Sequence, residues 1–373
     1  MIIQVVCLLP IVAVSVTAVV VPSPPGPYDV FYNTAKMIDN TRVDPFDIKQ
    51  GKRAVMTSIF APTDCRVDLE KIDYLPAATA QFYSDLYGTY GLSNGSIQSI
   101  QLQMCPEPPK DHHIPYPLVI FSPALGTTRL FYSAIAQAVA SAGYVVVSVD
   151  HPYDTEFLEF PDGSILTAAN ISDAQVPLDV DTRAQDIMFV LEQLGTNAGV
   201  AALLPGRRAR GLDTRRAAMY GHSLGGAATA TAMHLDRRIV AGANLDGSMF
   251  GPVLQKGLQG PFFLFGHENK TQATDPSWAE FWSNLRGWKL ELELSQSQHY
   301  TFSDLPLLVK LLGLPVEEVP AIQSMIGILD GSEAFEIIHR TVVAFLDFGL
   351  RRTSSSPLQE VVSQYSEVSV VAT

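Results

Sequence analysis

One hexapeptide of the sequence has residue types and spacing suited to nucleophilic catalysis: Gly221-His-Ser223-Leu-Gly225-Gly226. A short apolar run at residues 217–220 precedes it and a run of small residues follows it, which predicts a strand, a sharp turn and a helix. In that context a G-x-S-x-G motif exposes a serine hydroxyl, because glycines two residues away on each side let strand and helix approach. The motif predicts Ser223 as a nucleophile for acyl transfer.

A serine nucleophile needs a histidine base, which in such strand–turn–helix enzymes follows the serine and an acid along the chain. His234 ends the helix begun by the serine and precedes any suitable acid, and His339 lies inside the last predicted helix. His267 closes a strand and is expected at most to support another group. His299 directly follows a predicted strand at residues 290–294, where a loop can carry an imidazole over the serine. We therefore predict His299 as the general base.

The acid that orients the base has more than one candidate. Asp246 ends the strand after the nucleophile helix, and its apolar and small neighbours allow it to be buried facing an imidazole. The more usual place is after the next strand, where Glu268 and Asp275 are the available carboxylates. A turn aspartate at a strand end is the alternative role for Asp246. Residue types and spacing alone leave this choice open.

The elements that must position these residues alternate along the chain. Alternating strand and helix signals predict an α/β fold, a doubly wound and mostly parallel sheet with helices on both faces. At least six strands are expected, in a single domain over residues 19–350. Residues 351–373 lack helical periodicity and are predicted to form a flexible C-terminal tail.

Composition excludes several classes of protein. The chain has 373 residues, of which 47% are hydrophobic and 17% charged, so it can bury a sizeable core. Its net charge of −13 argues against nucleic-acid binding, which needs clustered lysine and arginine. Asp111, His112 and His113 have no partner at a metal-ligand spacing, and the sequence contains no phosphate loop or dinucleotide fingerprint. We expect neither a metal nor a cofactor.

The N-terminus has the character of a targeting segment. Residues 1–21 are almost wholly apolar, a proline-rich stretch follows, and no basic residue occurs before Lys36. A small-residue cleavage site after Ala18 predicts a signal peptide over residues 1–18 and a secreted protein. The alternative is a membrane anchor, since about 20 apolar residues can span a bilayer.

Cysteine usage agrees with export. Cys7 would leave with the signal peptide, and the mature chain would keep Cys65 and Cys105. In an oxidising compartment these two are expected to form a disulfide that closes about 40 residues, although two separate buried thiols are the alternative. Glycosylation sequons, typical of secreted proteins, occur at Asn94, Asn170 and Asn269.

Longer motifs give a family resemblance. They are FSPALGTTRLFYSAIAQAVASAGYVVVSVDHPYD, GHSLGG, NLDGSMF and HYTFSD. Together they resemble the platelet-activating factor acetylhydrolase family of α/β-hydrolases, including its secreted fungal members, from Asp44 to the last helix. The resemblance implies an α/β-hydrolase fold. It also implies Asp246 as the acid, in an Asp-x-x-Met-Phe pattern, and His299 as the base, in a His-x-x-Phe-x-Asp pattern.

Two backbone N–H groups are expected to form the oxyanion hole. One belongs to Leu224, directly after the nucleophile, and the resemblance places the other at Leu125, after the strand at residues 118–121. The family usually has His-Gly before this second donor, whereas this chain has Pro123-Ala124. The hole is therefore expected to differ in shape, and acyl preference with it.

The resemblance implies a secreted serine esterase that cleaves short acyl groups from glycerophospholipids, of the 1-alkyl-2-acetylglycerophosphocholine esterase type. Its partners would be small-molecule or lipid esters, with transient contact with a lipid surface. The alternatives are a broad carboxylesterase, a lipase or a cutinase-like polyester hydrolase. A catalytically silent binding protein with a hydrolase fold belongs to another class. The apolar residues 305–319 predict either a lid or lipid-facing segment, or a buried insertion.

Overall fold

A computed structural model describes residues 18–65, 68–89, 91–93, 95–109, 116–205 and 211–373. Its strands are β1 (Val19–Val20), β2 (Asp29–Val43), β3 (Lys52–Thr63), β4 (Glu70–Asp73), β5 (Ile100–Met104), β6 (Leu118–Ser122), β7 (Val145–Asp150), β8 (Phe157–Glu159), β9 (Ile165–Thr167), β10 (Ala217–His222), β11 (Ile239–Leu245), β12 (Phe262–His267), β13 (Lys289–Leu294) and β14 (Val368–Ala372). Its α-helices are α1 (Ala77–Gly88), α2 (Ser133–Ser141), α3 (Val176–Leu194), α4 (Asn197–Leu203), α5 (Leu224–Leu235), α6 (Val253–Lys256), α7 (Pro276–Asn284), α8 (Leu305–Leu311), α9 (Pro320–Ile326), α10 (Gly331–Gly349) and α11 (Ser356–Gln364).

Nine strands form the central sheet, in the order β14-β13-β12-β11-β10-β6-β7-β3-β2. The six strands from β13 to β7 pair in parallel, and β14, β3 and β2 add antiparallel pairs at the two sides. In a parallel sheet all carboxyl ends lie at one edge, and this edge is where such folds place their ligands. The residues that follow β6, β10, β11 and β13 therefore meet there.

Each face of the sheet carries its own core, as the predicted doubly wound architecture requires. Residues of β6 alternate between the faces: Val119 packs in the core that includes α2 and α10, while Ile120 packs in the core that includes α3 and α7. All five residues of β6 are buried. Continuous apolar runs of this kind are typical of strands covered on both sides. The α/β-hydrolase fold predicted from the sequence is confirmed.

A disulfide joins Cys65 to Cys105 with a Cα–Cα distance of 5.7 Å. Cys65 follows β3 of the central sheet, and Cys105 follows β5 of a small sheet ordered β1-β5-β4. The pairing is the predicted one, and it fixes the small sheet to the large one. The predicted signal peptide lies outside the described residues except for Ala18. Within the described ranges, no helix combines the length and apolar character needed to cross a bilayer.

The predicted flexible tail is wrong. Residues 356–364 form α11, whose Leu358 and Val361 are buried, and β14 then pairs antiparallel with β13 in the central sheet. The helix begins with a proline in its first turn, a position where the missing N–H has no intrahelical partner to lose. It spans only nine residues with two buried apolar positions, too few for the periodicity from which a helix is predicted. The domain thus extends through the C-terminal strand.

The apolar segment after His299 is buried at its start. The first four residues of α8, Leu305 to Leu308, are all buried, while Lys310 on the same helix is exposed. Helix α8 packs against α10 over the sheet. The buried alternative therefore holds for α8.

Candidate active site

Ser223 lies at a strained turn between β10 and α5. Its backbone φ is 54° and ψ is −122°, a conformation that non-glycine residues rarely adopt. A Cβ on Gly221 would lie 2.2 Å from the backbone of Gly225, and one on Gly225 would lie 2.0 Å from the carbonyl oxygen of Ser122. Strand and helix can therefore cross here only with glycine at both positions. The turn leaves the side chain of Ser223 partly exposed.

Asp246 is placed at the end of β11 with its carboxylate turned toward His299. Its own backbone is in the left-handed region, at φ 64°, and its N–H donates to the carbonyl of Phe265 on the neighbouring strand. The residue is 1% exposed. Nδ1 of His299 donates to Oδ2 of Asp246 at 2.5 Å. Of the three candidate acids, Asp246 is thus the one that contacts the predicted base.

The other two carboxylates have different partners. Glu268 is exposed and accepts a hydrogen bond from the backbone N–H of Gln296. Asp275 caps the N-terminus of α7 through Ser277 and Trp278, and it pairs with Lys270 at 2.6 Å. Their sequence position, after the next strand, brings neither carboxylate to His299.

His267, expected at most to support another group, holds the same aspartate. Its backbone N–H donates to Oδ1 of Asp246 at 2.9 Å, and its Nδ1 lies 2.7 Å and 2.8 Å from Oδ1 and Oδ2. Burial alone would raise the pKa of Asp246, but the hydrogen bonds from His267 and His299 outweigh it and hold the pKa well below 3.8. The carboxylate is therefore negatively charged at neutral pH and faces two imidazoles.

His299 occupies the first position of a short 3-10 helix just beyond β13. Its side chain is 39% exposed, so the imidazole is reached from solvent. With Nδ1–H committed to Asp246, the neutral ring keeps its lone pair on Nε2, the tautomer that a general base requires. The carboxylate thus selects which nitrogen can accept a proton.

A buried histidine next to Ser223 connects the turn between β10 and α5 to the loop after β6. Nδ1 of His222 lies 2.7 Å from the hydroxyl oxygen of Tyr132. The same oxygen accepts a hydrogen bond from the backbone N–H of Ala124. Burial, together with the neighbouring His299, lowers the pKa of His222 well below 6.5, so this ring stays neutral. Sequence reasoning missed this role, because Tyr132 lies 90 residues away.

The loop that carries Leu125 is anchored by a buried arginine and by a backbone hydrogen bond. Nη1 of Arg183 donates to the carbonyl of Pro123 at 2.6 Å, and the N–H of Gly126 donates to the carbonyl of Asp154 at 3.2 Å. The side chains of Leu125 and Leu224 pack in one apolar cluster. Within the described part of the chain, neither of their two N–H groups has an intramolecular acceptor. The two predicted oxyanion donors are therefore available to bind a ligand.

Comparison with known proteins agrees with this geometry. The model of the platelet-activating factor acetylhydrolase, isoform II family matches residues 84–156 and 209–356. A probable 1-alkyl-2-acetylglycerophosphocholine esterase of Arthroderma benhamiae is 31% identical, and the alignment covers 93% of this chain and 92% of that protein. The chain belongs to the platelet-activating factor acetylhydrolase family. It is a carboxylic ester hydrolase, and the family predicted from its motifs is confirmed.

Two more relatives extend the comparison. The platelet-activating factor acetylhydrolase of Cavia porcellus is 26% identical, with 62% of this chain aligned to 57% of that protein. A solved ferulic acid esterase from Streptomyces cinnamoneus superposes with a TM-score of 0.80, at 29% identity over 95% of this chain and 99% of that one. Leu125 falls within the first matched segment of the family model, and the second segment contains Ser223, Leu224, Asp246 and His299.

A second Ser-His-Asp row lies beneath the site and was not predicted. The hydroxyl of Ser122 lies 2.9 Å from Nε2 of His151, and Nδ1 of His151 lies 2.8 Å from Asp186, which Arg53 also binds. All four side chains are at most 1% exposed, so no ester can reach them. Their position at the base of the Leu125 loop indicates that they hold this loop in place.

One further acid of this network, Asp179, has an ion pair with Arg183 but no hydrogen bond among the described residues. Arg183 binds Asp154 through two nitrogens, and Asp179 lies 3.7 Å from the same guanidinium. Both oxygens of Asp179 lack a hydrogen-bond partner among the described residues. Burial, and then repulsion from Asp154, raises the pKa of Asp179. This carboxyl is protonated over much of the pH range in which the other acids are charged.

One group of side chains at the site could hold a cation. Among the described residues, His222, Asp246 and His299 each present a donor atom within 4.8 Å of the others. Binding there would break the hydrogen bond between His299 and Asp246. Any such ion would therefore compete with the acid–base pair.

Proposed function

We propose that the chain hydrolyses carboxylic esters with Ser223 as nucleophile, His299 as general base and Asp246 as the orienting acid. The observation that carries this proposal is the 2.5 Å hydrogen bond from His299 to a buried carboxylate, beside a serine in a strained elbow. The leucine N–H groups, at Leu224 and Leu125, are proposed as the oxyanion hole. Preorganised donors of this kind stabilise charge that develops during reaction.

The reaction proceeds through an acyl-enzyme. Ser223 Oγ attacks the ester carbonyl carbon while its proton moves to Nε2 of His299, and Asp246 stabilises the imidazolium that results. The oxyanion is held by two N–H groups until the bond to the leaving oxygen breaks and His299 gives that oxygen its proton. Water then attacks the acyl carbon, with His299 again as base, and releases the carboxylic acid and free Ser223.

We infer that the physiological ester is a glycerophospholipid with a short acyl group. The name of the Arthroderma benhamiae relative, a probable 1-alkyl-2-acetylglycerophosphocholine esterase, supports this choice. The fold neighbour is a ferulic acid esterase that aligns over 95% of this chain, which supports a carboxylesterase of broader range as the second candidate. Substrates with and without a phosphocholine head separate the two.

The test combines labelling with a substrate panel. A serine-directed fluorophosphonate should label the wild type and not Ser223→Ala, and the variant should lose about 10⁴- to 10⁶-fold in kcat. The panel compares acetyl, butyryl and long-chain esters, each with and without a phosphocholine head. Activity of Ser223→Ala within tenfold of wild type would remove this serine from the mechanism. An unlabelled wild type would favour a silent binding protein.

We also propose that the protein is secreted and glycosylated. The apolar residues 1–18, the Cys65–Cys105 disulfide and exposed sequon residues at Asn170 and Asn269 support this proposal, whereas Asn94 lies outside the described residues. Mass spectrometry of the exported protein should find a mature start near residue 19 and sugar on at least one sequon. An intact Met1 would contradict cleavage and favour a membrane-anchored or intracellular enzyme.

A further inference from the structure

An apolar cavity lies beside the proposed site, under the segment that follows the catalytic histidine. It encloses about 70 Å³ between α1, α8, α9 and the short helix at Ile97–Ser99. Hydrocarbon and aromatic side chains form its wall, and no lysine, arginine, aspartate or glutamate lines it. Its lining residues include Tyr87, Phe131, Leu305, Leu308, Met325 and Ile326.

A second cavity connects this chamber with the site. It encloses about 160 Å³ and shares Tyr87, Phe131, Leu305 and Met325 with the first one, so the two are contiguous. Its wall also contains Gly126, Thr127, Glu156 and Tyr300, so this second cavity is partly polar. Gly126 directly follows the oxyanion residue Leu125, and Tyr300 directly follows His299. The passage therefore opens between two parts of the catalytic machinery.

The chemistry of the wall selects the occupant. In the first cavity a polar or charged group would lose its water without gaining a charged or amide partner from the wall, whereas a hydrocarbon chain only leaves water. Apolar cavities stay dry and take apolar ligands: an engineered one of about 150 Å³ binds benzene. The two adjoining spaces are together larger than that. An unbranched chain of roughly four to eight carbons can therefore pass the partly polar second cavity and end in the apolar first one.

We propose that these connected spaces, the hydrocarbon cavity, bind a saturated hydrocarbon chain of the ester substrate. This inference rests on the proposed function, because the ester group must be held at Ser223 while its chain enters between Thr127 and Tyr300. The chain belongs either to the acyl group or to the alcohol. Chain length is then selected by the depth of this cavity, and headgroups remain outside it.

The experiment measures kcat/KM for two ester series. One varies the acyl group of p-nitrophenyl esters from acetyl to decanoyl, and the other varies the alcohol of acetate esters from ethyl to decyl. In the series whose chain enters the cavity, each added methylene leaves water and should raise kcat/KM about fourfold. The rise should continue up to roughly six to eight carbons. The other series should stay nearly flat.

Variants that fill the cavity provide the decisive comparison. Met325→Trp, and independently Ile322→Phe at another wall position, should remove the rise with chain length and leave the shortest ester within about twofold of wild type. The matched control is Ile328→Trp, on the same segment but 53% exposed, which should keep the wild-type profile. Thermal unfolding identifies a variant that fails to fold, and the second variant then decides.

The outcomes separate this inference from the proposed function. A flat profile in both series, with Ser223-dependent cleavage of the shortest esters intact, would overturn the hydrocarbon cavity and leave the esterase mechanism standing. Unchanged chain-length profiles in two folded filling variants would overturn it as well. Absence of any Ser223-dependent hydrolysis would instead defeat the proposed function.

Discussion

Replacing Asp246 with asparagine tests the site most directly, because the structure dictates how the new amide must orient. The backbone N–H of His267 donates to Oδ1 at 2.9 Å and cannot become an acceptor. The amide oxygen must therefore occupy the Oδ1 position, which places the amide NH₂ toward His299. Nδ1 of His299 would then accept, and its proton would move to Nε2, the nitrogen that must take the proton of Ser223.

The expected loss is large. Two effects add: the wrong tautomer of His299, and the missing carboxylate charge beside the imidazolium, since a hydrogen bond to a charged group contributes about 1.5–3 kcal/mol. In serine proteases the same exchange lowers kcat by about 10⁴-fold with the geometry intact. At about 1.4 kcal/mol for each factor of ten, this corresponds to about 5.5 kcal/mol of transition-state stabilisation.

The assay is steady-state hydrolysis of p-nitrophenyl acetate by Asp246→Asn, with Glu268→Gln as the matched control. Glu268 is an exposed carboxylate that accepts from a backbone N–H, and a glutamine oxygen can do the same. We expect the control to keep kcat within about threefold, as for most surface substitutions. If Asp246→Asn stays within tenfold of wild type, or if Glu268→Gln is the crippling change, the assignment of the acid is wrong.

Three more predictions concern stability, each measured by urea denaturation. Removing the disulfide by Cys65→Ser with Cys105→Ser should lower stability by about 4 kcal/mol for a separation of 40 residues and leave kcat unchanged; equal stability would contradict it. His267→Ala removes one hydrogen bond to the charged Asp246 and should lower the free energy of unfolding by about 1.5–3 kcal/mol. His267→Asn, which keeps a donor, should recover most of this loss. The pKa of Asp179 is raised in the folded state, so above pH 3.8 the folded protein holds a proton that the unfolded chain has lost. The free energy of unfolding of the wild type therefore falls as pH rises above that value. Asp179→Asn removes that slope and should gain on wild type between about pH 5 and pH 8, whereas parallel pH curves would refute the assignment.

The buried Ser122–His151–Asp186 row shows that hydrogen-bond distances alone do not identify a catalytic triad. Its two hydrogen bonds, 2.9 Å and 2.8 Å, are as short as those expected of a catalytic set. What distinguishes it is access, since these side chains are at most 1% exposed while His299 is 39% exposed. The network stabilises the Leu125 loop, and the proposed mechanism requires this loop to be rigid so that its N–H can meet the developing charge.

Local sequence was enough for the parts of the site that one element supplies. The elbow follows from Gly221, Ser223 and Gly225. A Cβ on Gly221 would lie 2.2 Å from the backbone of Gly225, so only glycine lets the strand and the helix come this close. The doubly wound fold follows from apolar runs such as β6, whose residues are all buried. The base could be chosen because His299 alone directly follows a strand in the required chain order. These features depend on residues that are close together in the chain, so they can be predicted from the sequence.

Tertiary structure decided everything that joins distant segments. It selected Asp246 over Glu268 and Asp275, since only strand order and the left-handed backbone at φ 64° turn that carboxylate toward His299. It showed that His267 holds the same aspartate, and it placed the C-terminal strand β14 in the sheet beside β13. Hydrogen bonds across 21 to 90 residues leave no periodic trace in a sequence, because their geometry arises only when separate strands end at the same edge of a sheet.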